Sequence, residues 1–224
     1  MLRPAARQRR DYDIDIMLLK VLDLTTRWAP TRLRRCPTLL LALLFVPTLA
    51  IHAASAGAAR LPVIGPAPAF ALDSSRGPRV ALADLRGKVL AVTFVFTTCT
   101  DSCPILTAKL AEIGRALGSD FGPRIAFVAI SVDPLNDTPA RLRDYAIAHR
   151  ADAPGWHFLT GTPSDIDDVL RRYGAYAKKT DGGSVDHLFL TSLIDRAGRL
   201  RVQYLGTRFD AREMQRDLQE LLLE

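Results

Sequence analysis

The chain has 224 residues, of which 48% are hydrophobic, and a formal net charge of +6 at pH 7. This length has room for one domain with a sizeable core and for a leader segment. Most of the excess positive charge precedes residue 57, so the rest of the chain is nearly neutral. Nucleic-acid binding needs a basic face on the folded domain, and the charge distribution therefore argues against a nucleic-acid partner.

Residues 1–58 have the layout of a cytoplasmic tail followed by an export segment. Arginines at positions 32, 34 and 35 precede an apolar run over residues 38–51, and small residues follow as AASAGAA. A basic region, an apolar region and an A-x-A site are typical of a secretory signal peptide. The run is interrupted by Pro47 and is short for a transmembrane helix, which needs about 20 residues.

This layout predicts export to the periplasm, with two alternatives left open for the leader. It is either a cleaved signal peptide or a retained membrane anchor that places the domain on the periplasmic side. A Pro-rich linker is predicted at residues 59–68 and the folded domain at residues 69–224. We expect a monomer.

Beyond the linker, the hydrophobic pattern predicts strands and helices that mostly alternate. The predicted strands are 70–72, 79–82, 89–96, 124–132, 156–159, 188–195 and 200–205, and the predicted helices are 104–117, 139–149, 163–173 and 210–223. The first two strands form an N-terminal hairpin, and a second hairpin precedes the last helix. This order predicts an α/β fold with a mixed sheet flanked by helices, and it matches a thioredoxin-like fold.

The stretch Val89–Leu106, VLAVTFVFTTCTDSCPIL, brings two cysteines to the carboxyl end of a predicted strand. Cys99 and Cys103 are four residues apart, and Pro104 suits the first turn of a helix. On a helical turn, residues i and i+4 share a face with Cβ atoms about 5–6 Å apart. The two thiols could therefore hold one metal ion or form a disulfide with little backbone movement.

A structural disulfide is the simplest alternative, because Cys36 lies in the leader and leaves an even pair in the exported domain. A bridge that closes so short a loop restrains the unfolded chain less than one that closes a long loop. The local pair therefore favours a metal-binding or a redox role.

Four histidines are candidates for a third functional group. His52 lies in the leader, His149 ends a predicted helix and suits a surface position, and His157 lies within a short strand and suits a structural role. His187 instead follows a Gly-containing loop and precedes an apolar strand, which places it near a sheet edge. Together with the thiol pair, His187 is the candidate ligand.

Three segments carry a specific resemblance: TFVFTTCTDSCP, AISVDPLNDTP and VDHLFLTSLID, in this order. They are similar to the Sco/SenC family of copper-binding, thioredoxin-like proteins that assist cytochrome c oxidase assembly. The likeness runs from about residue 65 to the C-terminus. One departure is Thr100, which stands where many members have proline; it changes the stiffness of the loop and leaves the ligand set intact.

The resemblance implies that the metal is a copper ion bound by three side chains, Cys99, Cys103 and His187. It also implies a partner, either the copper-site subunit of cytochrome c oxidase or another copper protein. Asp133, in the second segment, is expected to be structural or to support the ligands from behind.

The chemistry of these side chains agrees with the resemblance. Thiolates and imidazole suit Cu(I), and with additional ligands they can hold Cu(II). Zinc accepts the same atoms, but structural zinc sites usually have four ligands, and only three are evident. Asp101 and Asp186 are expected to be solvated loop carboxylates.

Two functions remain open from the sequence, a copper metallochaperone and a thiol-disulfide oxidoreductase that reduces target cysteines before metallation. The three-residue spacer between the cysteines and the lack of any proline after Pro163 argue against a general oxidoreductase. Thioredoxin-like reductases share a two-residue spacer and a facing cis-proline. A peroxidase is a third reading, in which His187 has no assigned role.

Overall fold

The structure is a computed structural model that describes residues 61–179 and 185–224. The predicted tail and export segment, residues 1–58, and the first two residues of the predicted linker lie outside the described residues. Among the helices that are described, none is both long and apolar enough to cross a membrane.

Ten strands and four α-helices make up the described part. The strands are β1 (Gly65–Pro66), β2 (Ala71–Ser74), β3 (Gly77–Ala81), β4 (Val89–Val95), β5 (Ile125–Ser131), β6 (Trp156–Thr160), β7 (Ala177–Lys179), β8 (Val185–His187), β9 (Leu190–Ile194) and β10 (Arg199–Leu205). The helices are α1 (Ser102–Ala116), α2 (Pro139–Ala148), α3 (Pro163–Tyr173) and α4 (Ala211–Leu223).

Eight of the strands form one mixed sheet in the order β1, β10, β9, β4, β5, β6, β2, β3. The central strands β4, β5 and β6 are parallel, and the neighbours on both sides are antiparallel. Strands β7 and β8 pair separately as a two-stranded antiparallel sheet. The predicted mixed α/β sheet and the N-terminal hairpin of β2 and β3 are thereby confirmed.

The centre of the core is formed by β4 and β5, in which every residue is buried. Parallel strands covered on both faces are continuous apolar runs rather than alternating ones, which is why these two were recognisable from sequence. Their paired residues run in register to Val95 and Ser131. The loops after both strands therefore leave the sheet at the same edge.

Helices α2 and α3 begin at the predicted residues, Pro139 and Pro163, each preceded by a capping threonine. The Thr138 hydroxyl accepts a hydrogen bond from the Arg141 amide (3.3 Å), and that of Thr162 accepts one from Asp165 (3.1 Å). In both helices proline occupies the first turn, where its missing N–H is not needed. Helices α1 and α4 pack against each other, and α2 packs against β6.

Three short strands, β1, β7 and β8, were not predicted. Strand β1 lies inside the predicted linker, where the Ile64 amide donates to the Leu200 carbonyl (2.9 Å) and the Ala67 amide to that of Gly198 (3.0 Å). Proline is tolerated at such an edge because one side of the strand needs no N–H donor. Backbone pairing of this kind leaves no apolar pattern in the sequence.

Candidate metal centre

The thiol pair lies on the turn that joins β4 to α1. The Cys99 amide donates to the Phe96 carbonyl (3.3 Å), which closes the turn directly after the strand. Helix α1 begins at Ser102, two residues before the predicted start, so Cys103 is part of its first turn. The Cys103 amide donates to the Cys99 sulfur (3.4 Å), so the Cys99 thiol contacts the amino end of the helix.

The two thiols differ in their surroundings, and both are free. Cys103 is fully buried, whereas Cys99 is half-buried. Burial, which disfavours the thiolate, is the main reason that the pKa of the Cys103 thiol is raised. A bound cation would offset that cost, because metal binding deprotonates thiol ligands.

His187 lies beside the thiol pair although it is 84 positions after Cys103 in the chain. It is the last residue of β8, where it pairs with Ala177 of β7, and its side chain is buried. Its Nε2 atom lies 3.7 Å from the Cys103 sulfur. The imidazole also contacts two aromatic rings, with centroid distances of 5.5 Å to Phe96 and 4.2 Å to Phe189.

The three predicted ligands are thus neighbours, but they are not a preformed site. Across residues 61–179 and 185–224, no three His, Cys, Asp or Glu side chains converge closely enough to hold a metal ion as they stand. Asp101 is exposed. Asp133 is buried and accepts a hydrogen bond from the Asn136 side chain (2.7 Å). The side chain of Asp186 lies outside the described part.

Sequence reasoning missed a buried carboxylate beneath the thiol turn, that of Asp137. It accepts hydrogen bonds from the amide and the hydroxyl of Thr97 and from the hydroxyl of Ser131. Burial raises the pKa of Asp137, although these hydrogen bonds oppose the shift. A polar residue that soon follows a buried strand, in AISVDPLNDTP, was the available signal.

The other two histidines of the domain lie elsewhere in the fold. His149 follows α2, and its ring lies tilted against that of Tyr145 with a centroid distance of 4.3 Å. His157 lies in β6 opposite Val128 of β5. Burial lowers the pKa of both imidazoles.

A family model described as SCO1/SenC matches residues 64–223. The chain belongs to the SCO1/SenC family. The resemblance predicted from the three sequence segments is therefore confirmed, and it extends over nearly the whole described domain.

Among curated SCO1/SenC relatives, the SCO1 protein homolog of Bacillus subtilis (strain 168) is 31% identical over 140 residues, which cover 61% of this chain and 72% of that protein. The mitochondrial relatives from Arabidopsis thaliana and Saccharomyces cerevisiae are longer. The chain spans 36% and 48% of their respective lengths.

Three solved SCO1/SenC structures are similar over most of their length. A family lipoprotein from Bacillus anthracis is 28% identical with a TM-score of 0.67, covering 73% of this chain and 99% of that one. ScoI of Bradyrhizobium japonicum, solved with copper bound, is 33% identical with a TM-score of 0.61, covering 69% and 98%.

The third structure is BsSco, described as having a disulfide switch and as a member of the Sco family of cytochrome c oxidase assembly proteins. It is 25% identical with a TM-score of 0.64, covering 73% of this chain and 98% of that one. These similarities confirm the predicted thioredoxin-like fold.

Proposed function

We propose that this protein is a copper metallochaperone that binds one copper ion through Cys99, Cys103 and His187. It delivers the ion to the copper centre of cytochrome c oxidase or of another copper protein. Support comes from family membership, from the copper bound to the related ScoI structure, and from the oxidase-assembly role stated for BsSco.

The observation that carries the proposal is the 3.7 Å approach of the Cys103 sulfur to Nε2 of His187. Cys99 follows on the same turn, with its sulfur 3.4 Å from the Cys103 amide. Two sulfurs and an imidazole nitrogen are a donor set that suits copper better than hard cations. Closing all three donors around one ion requires a side-chain adjustment.

The burial of the three candidate ligands suits a site that transfers its metal ion better than one that holds it permanently. The inner ligands are buried, and Phe96 and Phe189 cover the imidazole. Cys99, by contrast, is half-buried at the edge of the sheet, where a partner's ligand can reach the metal. A three-donor site that is open on one side can exchange its ion, whereas a closed four-ligand site holds it.

We propose that this work takes place outside the cytoplasm, on the periplasmic side. The export segment predicted at residues 1–58 supports this, and the related Bacillus anthracis protein is a lipoprotein. We further propose that the domain acts as a monomer.

The test is a copper titration of the purified, anaerobically reduced chain, with the bound metal counted and its absorption spectrum recorded. Cys99→Ala, Cys103→Ala and His187→Ala are compared with His149→Ala, a control that removes a half-buried imidazole outside the site. One equivalent bound by the wild type and by the control, and lost in each of the other three variants, is the expected result. Unchanged binding in His187→Ala would contradict the ligand set.

The second candidate function is reduction of a partner's disulfide. The asymmetry of the thiols favours it, because Cys99 is accessible and Cys103 is buried. In this reaction the Cys99 thiolate attacks the target disulfide and one target thiolate leaves. Cys103 then attacks the mixed disulfide, which releases the second target thiol and leaves a Cys99–Cys103 disulfide.

The same reduced thiols serve both functions, so copper binding should depend on the redox state of the pair. A titration in buffers of defined redox potential, with copper and free thiols counted in parallel, measures this dependence. Loss of copper binding in step with disulfide formation is expected. A kinetic assay with an oxidised copper-site peptide tests the second candidate, and no reduction above the Cys99→Ala background would exclude it.

A further inference from the structure

A buried carboxylate, that of Asp137, links the thiol turn to the neighbouring strand. Asp137 is completely buried and lies in the loop between β5 and α2. Both of its oxygens are 3.2 Å from the Thr97 amide, and they also accept hydrogen bonds from the hydroxyls of Thr97 and Ser131. One side chain therefore joins the residues that follow β4 to the last residue of β5.

Asp137 is itself held in place by its backbone. Its amide donates to the Asp133 carbonyl (2.9 Å), which closes a tight turn. The next residue, Thr138, caps α2 with its hydroxyl. The carboxylate is consequently fixed to the sheet on one side and to a helix on the other, so it can act as a rigid support.

The support acts on Cys99 through Thr97. Thr97 is two residues before Cys99, and the Cys99 amide closes the turn onto the carbonyl of Phe96. If Thr97 lost its three-bond attachment, the backbone bond from the Val132 amide to the Val95 carbonyl (2.9 Å) would still join β4 to the residue after β5, but it ends two residues before Thr97. The position of the Cys99 sulfur relative to Cys103 would then be free to vary.

Keeping an ionised carboxylate at this buried position carries a free-energy cost. Burial of a carboxylate without a cationic partner is expensive, and within the described residues no Lys, Arg or His side chain forms an ion pair with Asp137. A carboxylate is the one side chain that accepts from all three donors at once without offering a donor of its own. The buried carboxylate therefore fixes the positions of Thr97 and Ser131 at some cost in folding stability.

We infer that Asp137 is a positioning residue of the thiol turn, holding Thr97 so that Cys99 stands ready beside Cys103 for a soft metal ion. The inference rests on the proposed function for the identity of the metal. The geometric part of the inference does not depend on the proposed function, because the position of Cys99 can be measured without copper.

The experiment compares Asp137→Ala with two substitutions of its partner, Thr97→Val and Thr97→Ser, in the full chain. Valine keeps the shape of threonine and removes the hydroxyl, whereas serine keeps the hydroxyl. We expect Asp137→Ala and Thr97→Val to weaken copper binding by about 10–100-fold, the usual cost of losing a residue that supports a ligand. Both should also shift the sulfur-to-copper charge-transfer band, and Thr97→Ser should match the wild type in both respects.

The matched control is Asp195→Asn. Asp195 is also a buried carboxylate held by backbone amides, but it follows β9, whose last residue pairs with Leu90 at the start of β4. It therefore lies at the opposite end of the sheet from the thiols. We expect this variant to lower the melting temperature while leaving copper affinity and spectrum unchanged.

A copper-independent readout separates this inference from the proposed function. If the wild type binds no copper, the proposed function fails. The rate of Cys99 alkylation at fixed pH then tests whether Asp137 positions the thiol turn. The inference expects that rate to change in Asp137→Ala and Thr97→Val and to stay at the wild-type value in Thr97→Ser and Asp195→Asn. Wild-type alkylation, affinity and spectrum in Thr97→Val would overturn it, even if Asp137→Ala did not fold.

Discussion

Cys103 and His187 are 84 positions apart in the chain, yet the Cys103 sulfur lies 3.7 Å from Nε2 of His187. The first turn of α1 supplies the thiol, and the last residue of β8 supplies the imidazole. The contact therefore depends on how the small β7–β8 sheet is joined to the main sheet. His187 lies close to this junction. The next residue, Leu188, still donates its amide to the Tyr176 carbonyl (3.1 Å), and β9 of the main sheet begins at Leu190.

The first prediction concerns the unequal exposure of the two thiols. In the reduced protein without metal, iodoacetamide should modify Cys99 much faster than Cys103, because Cys103 is fully buried and reacts only when the first turn of α1 opens. Mass spectrometry of digested samples taken over time measures the two rates separately.

Guanidinium-unfolded protein provides the control for this comparison, and there the two cysteines should react at similar rates. Comparable rates in the folded protein would contradict the burial of Cys103 and would favour a turn that is open in solution.

The parts of the fold that were predictable from sequence are those that bury apolar side chains in a regular pattern. Strands β4 and β5 are continuous apolar runs, and Thr138 and Thr162 mark the starts of two helices. Cys99 and Cys103 could be singled out because they form a local pair after a buried strand, and His187 because it enters a strand in the segment that resembles the family; their role as ligands remains a prediction.

The remaining features depend on tertiary contacts that no local pattern encodes. Strand β1 and the β7–β8 pair are short, and no alternation of polar and apolar residues indicates them. Asp137 occurs among other polar residues in the loop after β5, and only the structure shows that it faces Thr97 rather than water. Phe189 was part of an expected strand, whereas it lies beside His187 before β9 begins.

The second prediction concerns the aromatic cover of His187. Phe189→Ala removes the ring whose centroid is 4.2 Å from the imidazole, which admits water to the ligand and loosens its orientation. We expect copper to dissociate about tenfold faster, in line with the cost of losing a residue that supports a ligand. Stopped-flow transfer of copper to a coloured chelator gives this rate.

Phe209→Ala is the matched control, because Phe209 is also a half-buried phenylalanine but packs on Tyr204 with a centroid distance of 5.2 Å. It should leave the rate of copper release unchanged. Equal acceleration in both variants would mean that general loosening of the domain, rather than cover of the imidazole, controls release.

The third prediction concerns a close approach in the core. A Cβ atom at Gly155 would lie 2.7 Å from the Phe121 ring and 2.9 Å from the Gly122 backbone nitrogen. Gly155→Ala should therefore lower the free energy of unfolding by about 1–3 kcal/mol, as other overpacked cores do. Gly65→Ala, where nothing lies within 4 Å of the added atom, should change it much less in the same urea titration. Equal effects of the two substitutions would contradict the packing around Phe121.

The last prediction concerns acid stability at the turn between β9 and β10. Asp195 is buried and accepts hydrogen bonds from Nε of Arg199 (2.7 Å) and Nη1 of Arg201 (3.0 Å). Burial by itself would raise the pKa of Asp195, but hydrogen bonds from the backbone and side chain of Arg199 and from Arg201 outweigh it and hold the pKa below its usual range.

A carboxyl group whose pKa is lowered by folding stabilises the protein wherever the unfolded chain would also be ionised, that is, above about pH 3.9. The stabilisation is lost as the pH falls through the pKa of the folded state. Asp195→Asn should thus cost about 2 kcal/mol of unfolding free energy at pH 7 and progressively less as the pH falls below 4. Urea titrations of both proteins at pH 7 and pH 3 measure the difference, and a gap that stays constant or widens in acid would show that the charge of Asp195 does not stabilise this turn.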